Sequence, residues 1–128
     1  FEDVAGGLRK LLEPDVFIGC TAVSIVGGGR EVEDAPALSA FAATFADGTT
    51  RALALEAIDT PDGVTILGWP DDVPARGTLL MLADPYSFPV PDLLRLCNAR
   101  VPELTIVGGL ASAGVFARTS RTTTTFKA

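Results

Sequence analysis

The 128 residues contain no histidine. That absence removes the Ser-His-Asp and Cys-His nucleophile groupings, His-ligated zinc, and haem held by a proximal histidine. The side chains left with chemical reach are few. Cys20 stands beside Thr21 at the end of an apolar run, Asp84 precedes Pro85 at the end of another, and Ser112 lies in a glycine-rich stretch. As a nucleophile Cys20 lacks a base to activate it, so a small buried residue is the better reading. Asp84 either binds an amine or holds the turn into residues 85–92, the second being the commoner role for Asp before a turn. Ser112 can donate a hydrogen bond to a ligand. Tyr86, Ser87 and Phe88 add an aromatic and hydroxyl cluster near the same place, while Trp69, between Gly68 and Pro70, reads as a loop anchor. The only cysteines, Cys20 and Cys97, have no metal-ligand spacing and are expected as free, buried thiols in a reducing compartment.

The glycines do not make a nucleotide site. Gly109 to Gly114 has the length of a phosphate-loop opening, but Val115-Phe116 follows where Lys and Ser/Thr are required, and Gly27-Gly28-Gly29 does not extend to GxGxxG. Charge excludes a general nucleic-acid binder: ten basic against sixteen acidic residues give −6 and a pI near 4.4. Residues 1–92 carry 5 basic and 15 acidic side chains and residues 93–128 carry 5 and 1, the basic end reading as a solvated face. No apolar run reaches the roughly 18 residues that span a bilayer, and no signal peptide is seen, so a cytoplasmic location without membrane contact is expected. With 48% hydrophobic and 20% charged residues the chain is of the globular class, and its length fits a single domain, 1–128. It opens at Phe1 inside what reads as a helix, which points to a larger polypeptide.

These residues must be positioned by an alternation of helices and strands. Val4, Leu8, Leu11 and Leu12 at helical spacing predict a helix over 2–13, stopped by Pro14. Residues 16–20 (VFIGC) predict a strand buried on both faces, and Gly27-Gly28-Gly29 a loop. Alternation from Leu38 to Ala57 about Asp47-Gly48 predicts an antiparallel hairpin. Pro61-Asp62-Gly63 is a turn before a short strand at 64–67. Residues 78–83 (TLLMLA) predict a second buried strand, 91–100 a helix opened by Asp92, and 104–108 (LTIVG) a third buried strand. The Thr-rich tail, 115–128, leans towards one more strand by β-propensity. The fold class is therefore α/β, with a mixed β-sheet, buried central strands, an antiparallel hairpin and packing helices.

Leu8 to Ala22 and Leu93 to Ala111 share an order: helix, proline, short acidic spacer, buried strand, then glycine, a small residue and alanine. If both strands are parallel, Gly19, Cys20, Thr21, Gly108, Gly109 and Ser112 should meet at one sheet edge, where ligands gather. Chance similarity of two ordinary helix–strand units is the competing explanation.

Four stretches in order, FIGCTAVSIVGGG, ALSAFAATFADG, LLMLADPYSFPVPDLLRLCN and PELTIVGGLASAG, resemble the N-terminal part of a FIST domain over residues 8–114. The family's first strand and most of its C-terminal half have no counterpart, and VFARTSRTTTTFKA follows its pattern poorly, so an incomplete FIST N-terminal domain is implied. The resemblance implies a sensory, small-ligand-binding module of bacterial or archaeal signalling, with amino acids among the ligands; such domains also occur beside F-box modules in eukaryotes. Some FIST proteins resemble haem-based nitric oxide sensors that use a histidine, which this chain lacks. The expected function is thus binding of a small polar metabolite at Gly19, Cys20, Thr21, Asp84, Gly108, Gly109 and Ser112, with occupancy relayed to a C-terminal half or signalling partner. Neither catalysis nor a cofactor is expected. An enzyme built on Cys20, Asp84 and Ser112 and a ligand-free interaction scaffold are the alternatives.

Overall fold

The computed structural model describes residues 2–111 and 122–127. Among them the elements run α1 (Glu2–Leu12), β1 (Ile25–Gly27), β2 (Arg30–Val32), β3 (Thr50–Thr60), β4 (Gly63–Leu67), β5 (Gly77–Ala83), α2 (Val90–Arg100), β6 (Leu104–Leu110) and β7 (Thr122–Lys127). β1 and β2 form a small antiparallel ribbon, and the other five strands form one sheet in the order β4-β3-β7-β5-β6. β5 and β6 are parallel, joined by the α2 crossover, and the remaining pairs are antiparallel. The fold is α/β with a mixed sheet.

Alternation places the core. Leu53, Leu55 and Ala57 on β3 and Leu79, Met81 and Ala83 on β5 share one sheet face, with Ile66 of β4 and Leu104 and Ile106 of β6. α2 covers that face. Pro91 in its first turn lacks an N–H that the helix would leave unused there, and Leu93 and Cys97, one turn apart, are both buried against the sheet. Val101 closes the helix by donating its N–H to the Cys97 carbonyl at 2.8 Å. Trp69 packs on both halves of the core as a loop anchor. The opposite face of the sheet shows Ile58, Leu67, Leu80 and Val107 to solvent, so β5 is buried on one face and not two, and β6, expected as a third buried strand, is an edge strand that buries only Leu104.

The glycine triplet is a hairpin turn. Gly28 and Gly29 take φ of 57° and 74° between β1 and β2, the pair of positive values that a two-residue hairpin of this twist requires. The turn after Thr60 is tied by its hydroxyl donating to the Gly63 carbonyl at 2.6 Å.

Two expected elements are corrected. Residues 16–20 form no strand: both edges of β5 are filled, by β7 and β6, and the run lies outside both sheets with Val16, Phe17 and Ile18 half-buried and Cys20 exposed. The 38–57 hairpin forms only in its second arm, β3. Its first arm would need an edge of β3, but β7 pairs with residues 50–55 and β4 with 56–60, while Gly68 crowds the Ala54 carbonyl on the β4 side. Asp47-Gly48 bends the chain without pairing it, Gly48 at φ 93°. The tail does supply a strand, β7, at the centre of the sheet. No described helix is long and apolar enough to cross a membrane.

Candidate functional site

At the carboxyl end of β5 the chain enters a loop organised by Asp84. Its Oδ1 accepts the Tyr86 N–H at 2.9 Å, its Oδ2 accepts the Ser87 hydroxyl at 2.8 Å, and its carbonyl accepts the Phe88 N–H at 3.0 Å. An Asp bonding the backbone two residues on is the usual way this side chain fixes a turn. Phe88 is thereby driven into the core, 5% exposed, while Tyr86 is left 86% exposed. Pro85 and Pro89 stiffen the loop on either side by fixing φ.

This loop faces the far end of the β3–β4 hairpin across a cleft of about 270 Å³, lined by Ala57, Asp59 and Val64 on one side and Pro85 to Pro89 on the other. β3 and β5 run in the same direction because each is antiparallel to β7, so residue 59 and residue 84 reach the same edge of the sheet. Asp59 follows Leu53, Leu55 and Ala57 on the covered face, one step beyond the core. It was missed in the sequence. Reading 50–60 as one alternating strand up to the Pro61-Asp62-Gly63 turn is the signal that would have found it.

β6 ends at this edge too. The Ala111 N–H donates to the Ala83 carbonyl at 2.8 Å, extending the parallel ladder. Gly108 and Gly109 lie inside the strand, paired with Met81 and Leu82, and not in a loop beyond it. Gly108 sits at φ 146°, and a Cβ there would lie 1.9 Å from the Met81 carbonyl oxygen, so its missing side chain serves strand approach. Ser112 falls outside the described residues. Gly19, Cys20 and Thr21 belong to no strand, so the parallel-strand geometry expected to carry them to the edge of β6 is lost.

Both thiols are free, Cys20 exposed and Cys97 buried, which corrects the expectation of two buried thiols. Partial desolvation pushes the Cys20 pKa up, and burial does the same to Cys97. A raised pKa leaves little thiolate at neutral pH, the reverse of what a nucleophile needs. Among the described residues no group of three His, Cys, Asp or Glu side chains is placed to hold a metal ion. A smaller hollow of about 170 Å³ beside β1 and β2, between residues 22–25 and 32–37, is lined by small and apolar residues and one serine.

The FIST N domain model matches residues 1–127, further than the 8–114 over which the motifs carry the resemblance. Uncharacterized protein MT0897 of Mycobacterium tuberculosis is 35% identical over 112 residues, 88% of this chain and 28% of that protein. Uncharacterized protein Rv0628c of Mycobacterium tuberculosis is 36% identical over 112 residues, with 88% and 29% covered. Mycobacterium bovis has a similar protein, Uncharacterized protein Mb0898c, at 35% identity. The chain spans under a third of the length of these curated relatives. No solved structure matches it. With the family model covering nearly the whole chain, this protein belongs to the FIST N domain family, a domain associated with signalling.

Proposed function

We propose that this FIST N domain is a single sensory unit that binds a small polar metabolite, amino acids among the candidates, and relays occupancy to further chain or to a partner in a bacterial signalling protein. The cleft at the carboxyl end of β5 carries the reading: it lies where α/β sheets gather ligands, and its loop wall is held in place by Asp84 before any ligand arrives. Two free thiols fit a reducing compartment such as the cytoplasm. Recognition involves no nucleic acid, since the net charge is −6.

Catalysis through Cys20, Asp84 and Ser112 is disfavoured. The Cys20 thiol is held in its neutral form, and both Asp84 oxygens are engaged within their own turn. A ligand-free interaction module is the second reading, favoured by Ile58, Leu67, Leu80 and Val107 on the uncovered sheet face.

A thermal-shift panel of amino acids and other small metabolites tests the proposal. A ligand at a hundredfold excess over Kd should stabilise the fold by about 2.7 kcal/mol. If no metabolite at millimolar concentration moves the melting temperature, the sensing reading is wrong and the interaction module replaces it.

A further inference from the structure

We infer that Asp47 is a site of spontaneous isoaspartate formation, and that an isoaspartyl carboxyl methyltransferase is the class of enzyme that would act on the product. The inference is independent of the sensing reading. Asp-Gly occurs twice in the chain, at Asp47-Gly48 and Asp62-Gly63, and all four residues are exposed. With dipeptide and exposure alike, the backbone decides between them.

The chemistry needs a free backbone. The glycine nitrogen, on losing its proton, attacks the Asp Cγ; an N–Cγ bond forms, a carboxyl oxygen leaves as water, and a succinimide ring closes. Water then opens the ring. Addition at Cγ restores aspartate, whereas addition at the main-chain carbonyl breaks the original peptide C–N bond and routes the chain through Cβ and Cγ, leaving the α-carboxylate free. No oxidant, metal or cofactor enters, and glycine favours the attack because it has no Cβ to obstruct it. The glycine N–H must be unbonded, and the peptide plane between the two residues must be able to rotate.

At Asp47 both conditions are met. Asp47 and Gly48 lie in a bend outside every helix and strand, and among the described residues no hydrogen bond or ion pair holds either one. At Asp62 they are not. Gly63 is paired with Thr60 in the β3–β4 ladder, and its carbonyl accepts the Thr60 hydroxyl at 2.6 Å. Pro61 fixes φ on the other side of Asp62, so rotating the 62–63 peptide plane has to open the turn. Isomerisation at Asp47 adds one carbon to the main chain just before Thr50, where β3 begins its ladder with β7.

The whole chain, aged at neutral pH and physiological temperature in water enriched in heavy oxygen, tests this. Each passage through the ring leaves one heavy oxygen, which peptide mapping by mass spectrometry reads at each Asp-Gly. Synthetic peptides spanning residues 44–50 and 60–66 give the unrestrained rates. Asp47 should take up label in the chain at a rate close to that of its peptide. Asp62 should do so at least about tenfold more slowly than its own, the factor for an opening cost of about 1.4 kcal/mol. Of the two segments recovered from the aged chain, only the one with Asp47 should accept a methyl group from S-adenosylmethionine in the presence of an isoaspartyl carboxyl methyltransferase. Asp47→Glu keeps the charge but would need a six-membered ring, so it should lose the label at that position, with circular dichroism confirming its fold. Asp47 staying unlabelled in the chain, Asp62 reacting as fast as Asp47, or label persisting at position 47 in Asp47→Glu overturns the inference.

Discussion

Residues 38–46 and 50–60 carry the same period-two signal, yet only the second segment lies in a sheet. Phe41 and Phe45 alternate as cleanly as Leu53 and Leu55, but Phe41 is 91% exposed and Leu55 is 3% exposed. The same split divides the regions around them. In the first 49 residues Val4, Leu11, Leu12, Val23, Val26 and Leu38 are all exposed, whereas the segment from Thr50 to Leu104 supplies the core. Alternation states which face a strand would bury; a free edge on a neighbouring strand decides whether it forms at all.

Truncating one apolar side chain in each region should give the largest difference between them. Leu79→Ala, at a fully buried site, is expected to cost about 2–5 kcal/mol in urea denaturation, while Phe41→Ala stays within about 0.5 kcal/mol. A comparable loss at Phe41 would show that residues 38–46 belong to the cooperative core. Gly108→Ala comes next, at about 2–4 kcal/mol, because the atom it strikes is the Met81 backbone carbonyl and cannot swing away. Asp84→Ala is expected to cost about 1 kcal/mol without any ligand, since it removes the acceptor that ties the Tyr86 N–H and Ser87 hydroxyl into the turn while water can still solvate both; Asp84→Asn should recover part through Oδ1. In the other region the sign reverses: Gly6→Ala has open space in α1 and should gain about 0.5–1 kcal/mol of local helix stability, read as helicity by circular dichroism.

The thiols give the smallest and most local contrast. Ellman's reagent should reach Cys20 in the native protein and Cys97 only on unfolding, with Cys20 slower than free cysteine at neutral pH because its pKa is raised. Cys97 also has a pH signature. Its folded pKa lies above the ordinary 9.0, so its contribution is intact below that value and is lost as pH rises through the folded pKa. Stability that falls above about pH 9 in the native chain, and less so in Cys97→Ala, checks this.

What could be read in the sequence was whatever local residues punctuate. Pro14 and Pro102 end the regions of α1 and α2, Pro61-Asp62-Gly63 makes the β3–β4 turn, and Asp84-Pro85 stops β5 where expected. The succession β5, α2, β6 was legible for that reason, as was the turn-holding alternative for Asp84, but the parallel pairing of β5 with β6 was not: parallel pairing was expected of 16–20 with 104–108. Pairing between distant segments was not: nothing near Thr122 states that it would lie beside Leu55, nor near Phe41 that its place would be taken. Asp59 escaped because its importance depends on a loop 25 residues later in the chain.

The central position of β7 also bears on how the sheet assembles. The β3–β4 hairpin and the β5–α2–β6 crossover are each closed by nearby residues, and each can form early and independently. They become one sheet only when β7 bridges them, pairing Thr50 with Lys127 and Leu82 with Thr123. Bringing such distant ends together costs loop-closure entropy before any contact repays it, so the joining step should set the refolding rate. Pulsed hydrogen exchange should then find the two local units protected ahead of the ladder on β7, with the central strand the last to lock.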